Sequence, residues 1–328
     1  MPLSLSRPLS DLTLPALGLG AANAGNLYRA MTDDEAVALF EATWDAGIRY
    51  FDTAPHYGLG LSERRLGEFL RTKPRDEFVV STKVGRLLKP NPAGAGMLDM
   101  ANDFAVPADR ERVWDFSEAG IRHSVEDSLA RTGLDRFDIL YLHDPERYDL
   151  ELGLTSALPA LATLRDEKLV SAIGVGAMTT SALLAVTNSG LLDLLMIAGR
   201  YTLADQSALA EVVPACRQHG VRIVTAAVFN SGLLTSDNPG VGARYDYNNV
   251  PAALLTKVQG IAAICREFGV SLATAALHYT LRDATVASVV VGGSRPEQVR
   301  QSAERMTESV PEELWQRLEE QDLIPASV

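Results

Sequence analysis

The chain has 328 residues, 47% of them hydrophobic, with a formal net charge of −12. That is enough apolar material for a full core, while no run of eighteen apolar residues offers a membrane span. An acidic chain without a basic run excludes nucleic acid and anionic membranes as expected partners.

Residues 3 to 16 are expected to form a small hairpin at the bottom of whatever follows. Leu17 to Ala21 reads as a first strand. Thr32 to Ala46 is an amphipathic helix, capped by Thr32 and carrying Asp33, Asp34 and Glu35 in its first turn. Ile48 to Phe51 is the second strand, and Ser62 is expected to cap the helix after it. The third strand, Phe78 to Val84, ends on Lys83-Val84. Residues 86–115 then break the rhythm with a Pro-, Gly- and Ala-rich stretch, far longer than an ordinary connection, and read as a substrate lid. A helix from Ser117 to Thr132 leads to a fourth strand, Phe137 to His143. Helices 157–168, 180–187 and 207–219 alternate with strands Val170–Val175, Leu192–Ala198 and Val221–Ala227, and Gly220 caps the last of these helices. A second long loop, 228–250, precedes two consecutive helices, 252–268 and 271–282. Ala287 to Val291 is the eighth strand, with Pro296 and Pro311 opening the closing helices.

Eight strands, each followed by helix, are the alternation of a parallel (β/α)8 TIM barrel. No linker or composition shift divides the chain, so 1–328 reads as a single domain. The start, Met1 to Pro15, has three prolines and no long apolar region, and is not read as a secretory signal. Cys216 and Cys265 make neither a framework nor a metal pair, which points to reduced thiols in a cytoplasmic protein. No His-Glu-x-x-His or equivalent spacing occurs, and no metal is expected.

Four chemically capable side chains fall at the C-terminal ends of strands, where barrels keep their active sites. Asp52 and Tyr57 follow the second strand, Lys83 ends the third, and His143 ends the fourth. Each alone has a structural explanation, as turn former, rim residue or loop histidine. Together they suit hydride transfer at a carbonyl or hydroxyl carbon. A tyrosine hydroxyl can give or take the proton, a nearby ammonium lowers its pKa, a carboxylate holds that ammonium, and an imidazole orients the substrate oxygen. For phosphate, the loops after strands seven and eight are the candidates: Phe229, Asn230, Ser231, Gly232 and Leu233, then Gly293, Ser294 and Arg295. Gly18-Leu19-Gly20 lacks the third glycine of a dinucleotide fingerprint and reads as barrel strand.

The motifs FDTAPHYG (51–58), SERRLG (62–67), VVSTKVG (79–85), DSLARTGLDRFDILYLHDP (127–145), SGLL (231–234) and VVVGGSRPEQV (289–299) run in one order along nearly the whole chain. In this the sequence resembles the aldo-keto reductases. The resemblance implies a barrel that binds a nicotinamide dinucleotide, with a catalytic tetrad at Asp52, Tyr57, Lys83 and His143. It also implies cofactor contacts at Gly20, Asp52, Tyr201, Phe229 to Leu233, Gly293 to Arg295, and Gln298. The sequence departs from the family at Gly176-Ala177, Ala198 and Ala226, where carboxamide-binding and stacking residues usually stand, with Tyr201, Phe229 or Asn230 as substitutes. The position of the arginine that reads the NADP 2′-phosphate is Gln298, and Gln301-Ser302 replace the adenine pair, so NAD is expected ahead of NADP. These departures resemble one branch of the family. Its members oxidise cyclic hemiacetals of D-threo-aldoses (L-fucose, L-galactose) or of pyridoxal to lactones with NAD or NADP. A general NADPH-dependent aldehyde or ketone reductase, and a nicotinamide-binding regulatory subunit, are the alternative readings.

Overall fold

Short apolar, β-branched runs pair in parallel and close into a ring. The structure, a computed structural model, describes residues 6–9, 12–240, 242–246 and 248–326. It begins with an antiparallel hairpin, β1 (Ser6–Leu9) and β2 (Leu12–Pro15). The remaining strands are β3 (Leu17–Gly20), β4 (Tyr50–Asp52), β5 (Val79–Val84), β6 (Arg86–Pro90), β7 (Arg110–Trp114), β8 (Ile139–His143), β9 (Ala172–Ala177), β10 (Leu194–Ala198), β11 (Arg222–Ala226), β12 (Arg244–Tyr245), β13 (Asn248–Asn249) and β14 (Val286–Gly292). Eight of them close the barrel in the order β10-β11-β14-β3-β4-β5-β8-β9. This is the (β/α)8 architecture expected from the sequence, with boundaries shifted by one or two residues. The hairpin lies where it was expected, although residues 3–5, 10 and 11 of that expectation fall outside the described residues.

Two apolar layers hold the barrel. Inside it, Tyr50, Ile139, Tyr141, Leu194, Met196, Val224 and Val290 pack together, and Leu9 and Leu14 of the hairpin join them. The Arg7 guanidinium fastens the hairpin by donating to the carbonyls of Asp283 (2.6 Å), Leu281 (2.9 Å) and Val286. Outside it, the strands' other faces pack on the helices, so most strand residues are buried on both sides. Among the described residues no single helix is long and apolar enough to cross a membrane, and the one helix pair that passes together is bent by 102°.

Of the expected caps, Thr32 and Gly220 form and Ser62 does not. Thr32 and Glu35 form a capping box on helix Asp33–Asp45, and Ser117 caps Glu118–Thr132. Ser62 does not cap its helix. Helix Leu61–Leu70 starts after Gly60, whose left-handed backbone makes the turn. Ser62 lies inside the first turn, fully buried, where its Oγ donates to the Ala21 carbonyl and meets the Thr53 hydroxyl, both at 2.8 Å. A buried hydroxyl takes whichever partner the tertiary structure offers.

The stretch 86–115 is also more ordered than its composition implies. β6 and β7 pair antiparallel, Arg86 opposite Trp114 and Pro90 opposite Arg110. Leu88, Phe104 and Val106 form a small core with Leu59, and Tyr57 packs against it. Asp99 accepts two hydrogen bonds from Arg112, at 2.6 and 3.0 Å. The stretch is therefore an anchored hairpin that walls the barrel mouth. Loop 228–250 likewise carries the short pair β12–β13, and Arg200 fastens it through the Asp246 carboxylate and the Tyr245 hydroxyl.

One close approach sets the position of Tyr57. Gly58 has φ +64°, and a Cβ there would lie 2.2 Å from the Gly25 carbonyl oxygen. The loop bearing Tyr57 therefore rests directly on the 21–25 turn. Gly58→Ala is expected to destabilise the protein by at least about 1–2 kcal/mol for the left-handed backbone alone, with turnover falling further as Tyr57 moves. A urea midpoint and rate equal to the parent's would remove this contact from the argument.

Candidate active site

At the C-terminal mouth of the barrel the four strand-end residues converge on one cavity of about 460 Å³. Lys83 Nζ lies 2.6 Å from Asp52 Oδ2 and 3.0 Å from the Thr53 carbonyl. Asp52 Oδ1 accepts from Ser81 Oγ at 2.7 Å, and Ser81 in turn meets the Tyr50 hydroxyl, 3.1 Å away. Tyr50 continues to Tyr141 at 3.2 Å, so a chain of hydroxyls rises through the barrel to the carboxylate. Lys83 and Asp52 are nearly inaccessible, with side chains 3% and 4% exposed. A buried ion pair is sound only when its remaining valences are met, and here Thr53 and Ser81 meet them.

Lys83 Nζ stands 4.8 Å from the centre of the Tyr57 ring. Burial works against the ammonium, but Asp52 and then Tyr57 outweigh it and hold the lysine above its ordinary pKa. Burial raises the Tyr57 phenol, and Lys83 opposes that rise as charge and hydrogen-bond donor. The sequence leads one to expect a lowered phenol. The net direction in the structure is upward, because removing the hydroxyl from water outweighs one ammonium that Asp52 already partly neutralises.

His143 is edge-on to Tyr57, ring centres 5.9 Å apart. Burial, then the charges of Arg86 and Lys83, hold it well below the ordinary histidine value, so the ring is neutral. His56 joins them, 5.6 Å from His143 and 5.4 Å from Phe104. Burial and the same kind of cationic surroundings push His56 down to about 2, and its Nδ1 has no partner. Arg112 fixes this segment by donating to the His56 carbonyl at 2.8 Å. Nothing in the spacing singled out His56, although it precedes Tyr57 in the motif. Asn23, Asn102 and Phe104 also line the cavity, brought there by turns that a linear reading does not place.

The candidate cofactor residues divide. Gly20, Asp52, Ala198, Ala226 and Gly176-Ala177 line the cavity, with Met178, Met196 and Val290 among them. Tyr201 does not reach it. Its ring packs on Tyr279 and its hydroxyl donates to Asp283 at 3.3 Å, since an aromatic of that size gains more in the core between barrel and helices. In the loop after β11, Asn230 and Ser231 have left-handed backbones, φ 45° and 57°. The N–H groups of Asn230, Gly232 and Leu233 donate to Ala227, Phe229 and Asn230 within the loop. The expectation that these amides meet a phosphate is thus corrected for those three, because the tight turn consumes them. Phe229 packs against the barrel–helix core. Asn230 is buried, with Nδ2 3.4 Å from the Gly199 carbonyl and Oδ1 unpartnered. At the end of β14, Gly292 lines the cavity and Gly293 does not. Ser294 donates through N and Oγ to Gln298 Oε1, at 2.9 and 3.3 Å. Arg295 precedes the exposed start of helix Pro296–Thr307, and Arg29 reaches the Ser294 carbonyl at 3.2 Å.

A parallel barrel with a buried lysine–carboxylate pair beneath a tyrosine at its mouth defines a class of barrel oxidoreductases. Residues 16–322 match the model of the Aldo/keto reductase family, and the chain belongs to that family. It is an enzyme of the oxidoreductase type, and nicotinamide cofactors serve the family. It is 58% identical over 317 residues to a D-threo-aldose 1-dehydrogenase of a Pseudomonas species, covering 96% of each chain. A pyridoxal 4-dehydrogenase of Microbacterium luteolum is 36% identical over 330 residues, again covering 96% of each. An L-galactose dehydrogenase of Arabidopsis thaliana is 29% identical, over 91% of this chain and 86% of that one. Among solved structures, a glycerol dehydrogenase of Gluconobacter oxydans superimposes with a TM-score of 0.75 at 20% identity, over 98% and 97% of the two chains. That likeness is one of fold.

Proposed function

We propose that the chain oxidises the cyclic hemiacetal of a D-threo-aldose, of the L-fucose type, to its lactone. The observation that carries the reading is the Lys83 ammonium held between Asp52 and the Tyr57 phenol in one cavity. The 58% identical aldose dehydrogenase supports the substrate class.

In this reading Tyr57 takes the anomeric hydroxyl proton as the C–O bond becomes a carbonyl. Lys83 favours the deprotonated phenol, and Asp52 keeps Lys83 charged and in place. His143, neutral, donates its N–H to the reacting oxygen and orients it. When bound, a nicotinamide ring supplies the acceptor for the hydride leaving the anomeric carbon. Gly176, Ala177, Ala198 and Ala226 line the cavity with small side chains and would flank such a planar ring, alongside Met178 and Met196. His56 lines the same cavity, beside His143 and Tyr57.

Following absorbance at the NADH band with L-fucose, pyridoxal and a simple aldehyde tests the proposal. The highest kcat/KM is expected for L-fucose. A higher value for pyridoxal, which also presents a ring hemiacetal and is named in a 36% identical relative, would replace the sugar. No turnover of either would sink both.

NAD is expected to be the better cofactor. A 2′-phosphate carries about two negative charges and wants a guanidinium. Gln298 offers an amide already engaged by Ser294, and Arg300 leans on Glu297 at 3.6 Å. Specificity constants for both cofactors at one ionic strength decide this, and a higher value for NADP overturns it.

A further inference from the structure

A second cavity, of about 350 Å³, opens beside the catalytic one, against the β6–β7 hairpin. The two share Asn102 and Arg147. Four arginines line the second: Arg86, Arg110, Arg112 and Arg147. The hairpin register accounts for three of them. Arg86 stands opposite Trp114, and Arg112 and Arg110 follow at every second position on the facing strand, so all three share one face.

Their donors are not all used. Arg86 is 4% exposed, donates to Asp144 at 2.5 Å and lies over the Trp114 ring, yet its Nε has no acceptor. Arg112 binds Asp99 and the His56 carbonyl, and its Nε also has none. A buried donor left without an acceptor is costly, and more so when it is charged. Arg110 is exposed and forms no ion pair among the described residues. Among the described residues Arg147 pairs only with Asp144, at 3.9 Å, and that carboxylate already serves Arg86. Asp99 and Glu111 line this cavity and Asp144 lines the catalytic one, so four cations meet three carboxylates, two of them engaged, in a chain of net charge −12. The two Nε atoms are closed to solvent, so an anion with several acceptor oxygens would be met by the exposed Arg110 and Arg147 guanidinium groups, within the field of all four cations.

We propose that this cavity is an oxyanion subsite for a group of the phosphate class, present either as inorganic phosphate or as a phosphate monoester on the sugar. Only the second source rests on the aldose reading.

Calorimetric titration with inorganic phosphate, at constant ionic strength and with NAD saturating, tests it on the full chain. One saturable site is expected, weakened at least fivefold in the Arg110→Ala/Arg147→Ala double variant. Both side chains are exposed, and an unchanged thermal midpoint checks that the variant folds. Absent binding, or equal affinity in the variant, overturns the subsite. So does binding lost on Arg295→Ala but kept in the double variant, which would place the phosphate at the loop after β14. Comparing kcat/KM for L-galactose and its 6-phosphate then assigns the source. A preference above about tenfold for the phosphate ester, lost in the double variant, assigns it to the substrate. No preference, with phosphate binding intact, assigns it to the free ion. If phosphate binds as expected and no aldose of either kind turns over, the subsite stands and the aldose reading fails.

Discussion

Tyr57→Phe is expected to lower kcat by about 10² to 10⁴, the usual worth of a positioned acid or base. That corresponds to roughly 3–5 kcal/mol of transition-state stabilisation. The substitution removes one oxygen and leaves the ring, which packs beside Phe104 and His143 with centre distances of 6.3 and 5.9 Å. Dinucleotide affinity and the unfolding midpoint should therefore stay near the parent values. Steady-state rates with cofactor binding measured alongside check this. A variant keeping more than about a tenth of the parental rate would falsify the proton role.

Lys83→Met carries two expectations of different kind. Asp52 is 3% exposed and would lose its cation, keeping only the Ser81 hydrogen bond. Breaking a buried pair in this way costs about 3–5 kcal/mol. Because Lys83 is held above its ordinary pKa, the pair's contribution is complete below about pH 10.4 and is lost as pH rises beyond it. The stability gap between parent and variant should thus persist at neutral pH and close in strong alkali. Catalysis should respond in the other sense. Burial already raises the Tyr57 phenol, and Lys83 is the group that opposes it. Without the ammonium the phenolate forms only at higher pH, so residual oxidation should survive best at the alkaline end. Urea unfolding and a pH–rate profile separate the two effects. An unchanged profile removes Lys83 from the mechanism, whatever happens to stability.

The parts of the site that were legible are those whose position follows from strand periodicity. Asp52, Lys83 and His143 end apolar runs, and a parallel barrel brings all such ends to one face, so reading the runs was enough to gather them. Tyr57 came with them because Pro55 and Gly58 stop the strand before it. Other parts were not legible, because their partners are remote in the chain. Arg112 reaches the His56 carbonyl across 56 residues, and Arg86 reaches Asp144 across 58. The β6–β7 hairpin was hidden by its Pro- and Gly-rich tip, and Tyr201 was misplaced because its side chain could have turned either way. Ser62 has the composition of a cap, but a buried hydroxyl 2.8 Å from the Ala21 carbonyl does better inside the helix.

By itself the sequence determined the alternation of strand and helix, the family resemblance and the four strand-end residues, all of which depend on local pattern and register. Only the tertiary structure decided the direction of the Tyr57 pKa, the neutrality of His56 and His143, and the second arginine-lined cavity. Those depend on how much water is excluded and which charges face one another, and both arise only when segments far apart in the chain close on the same space.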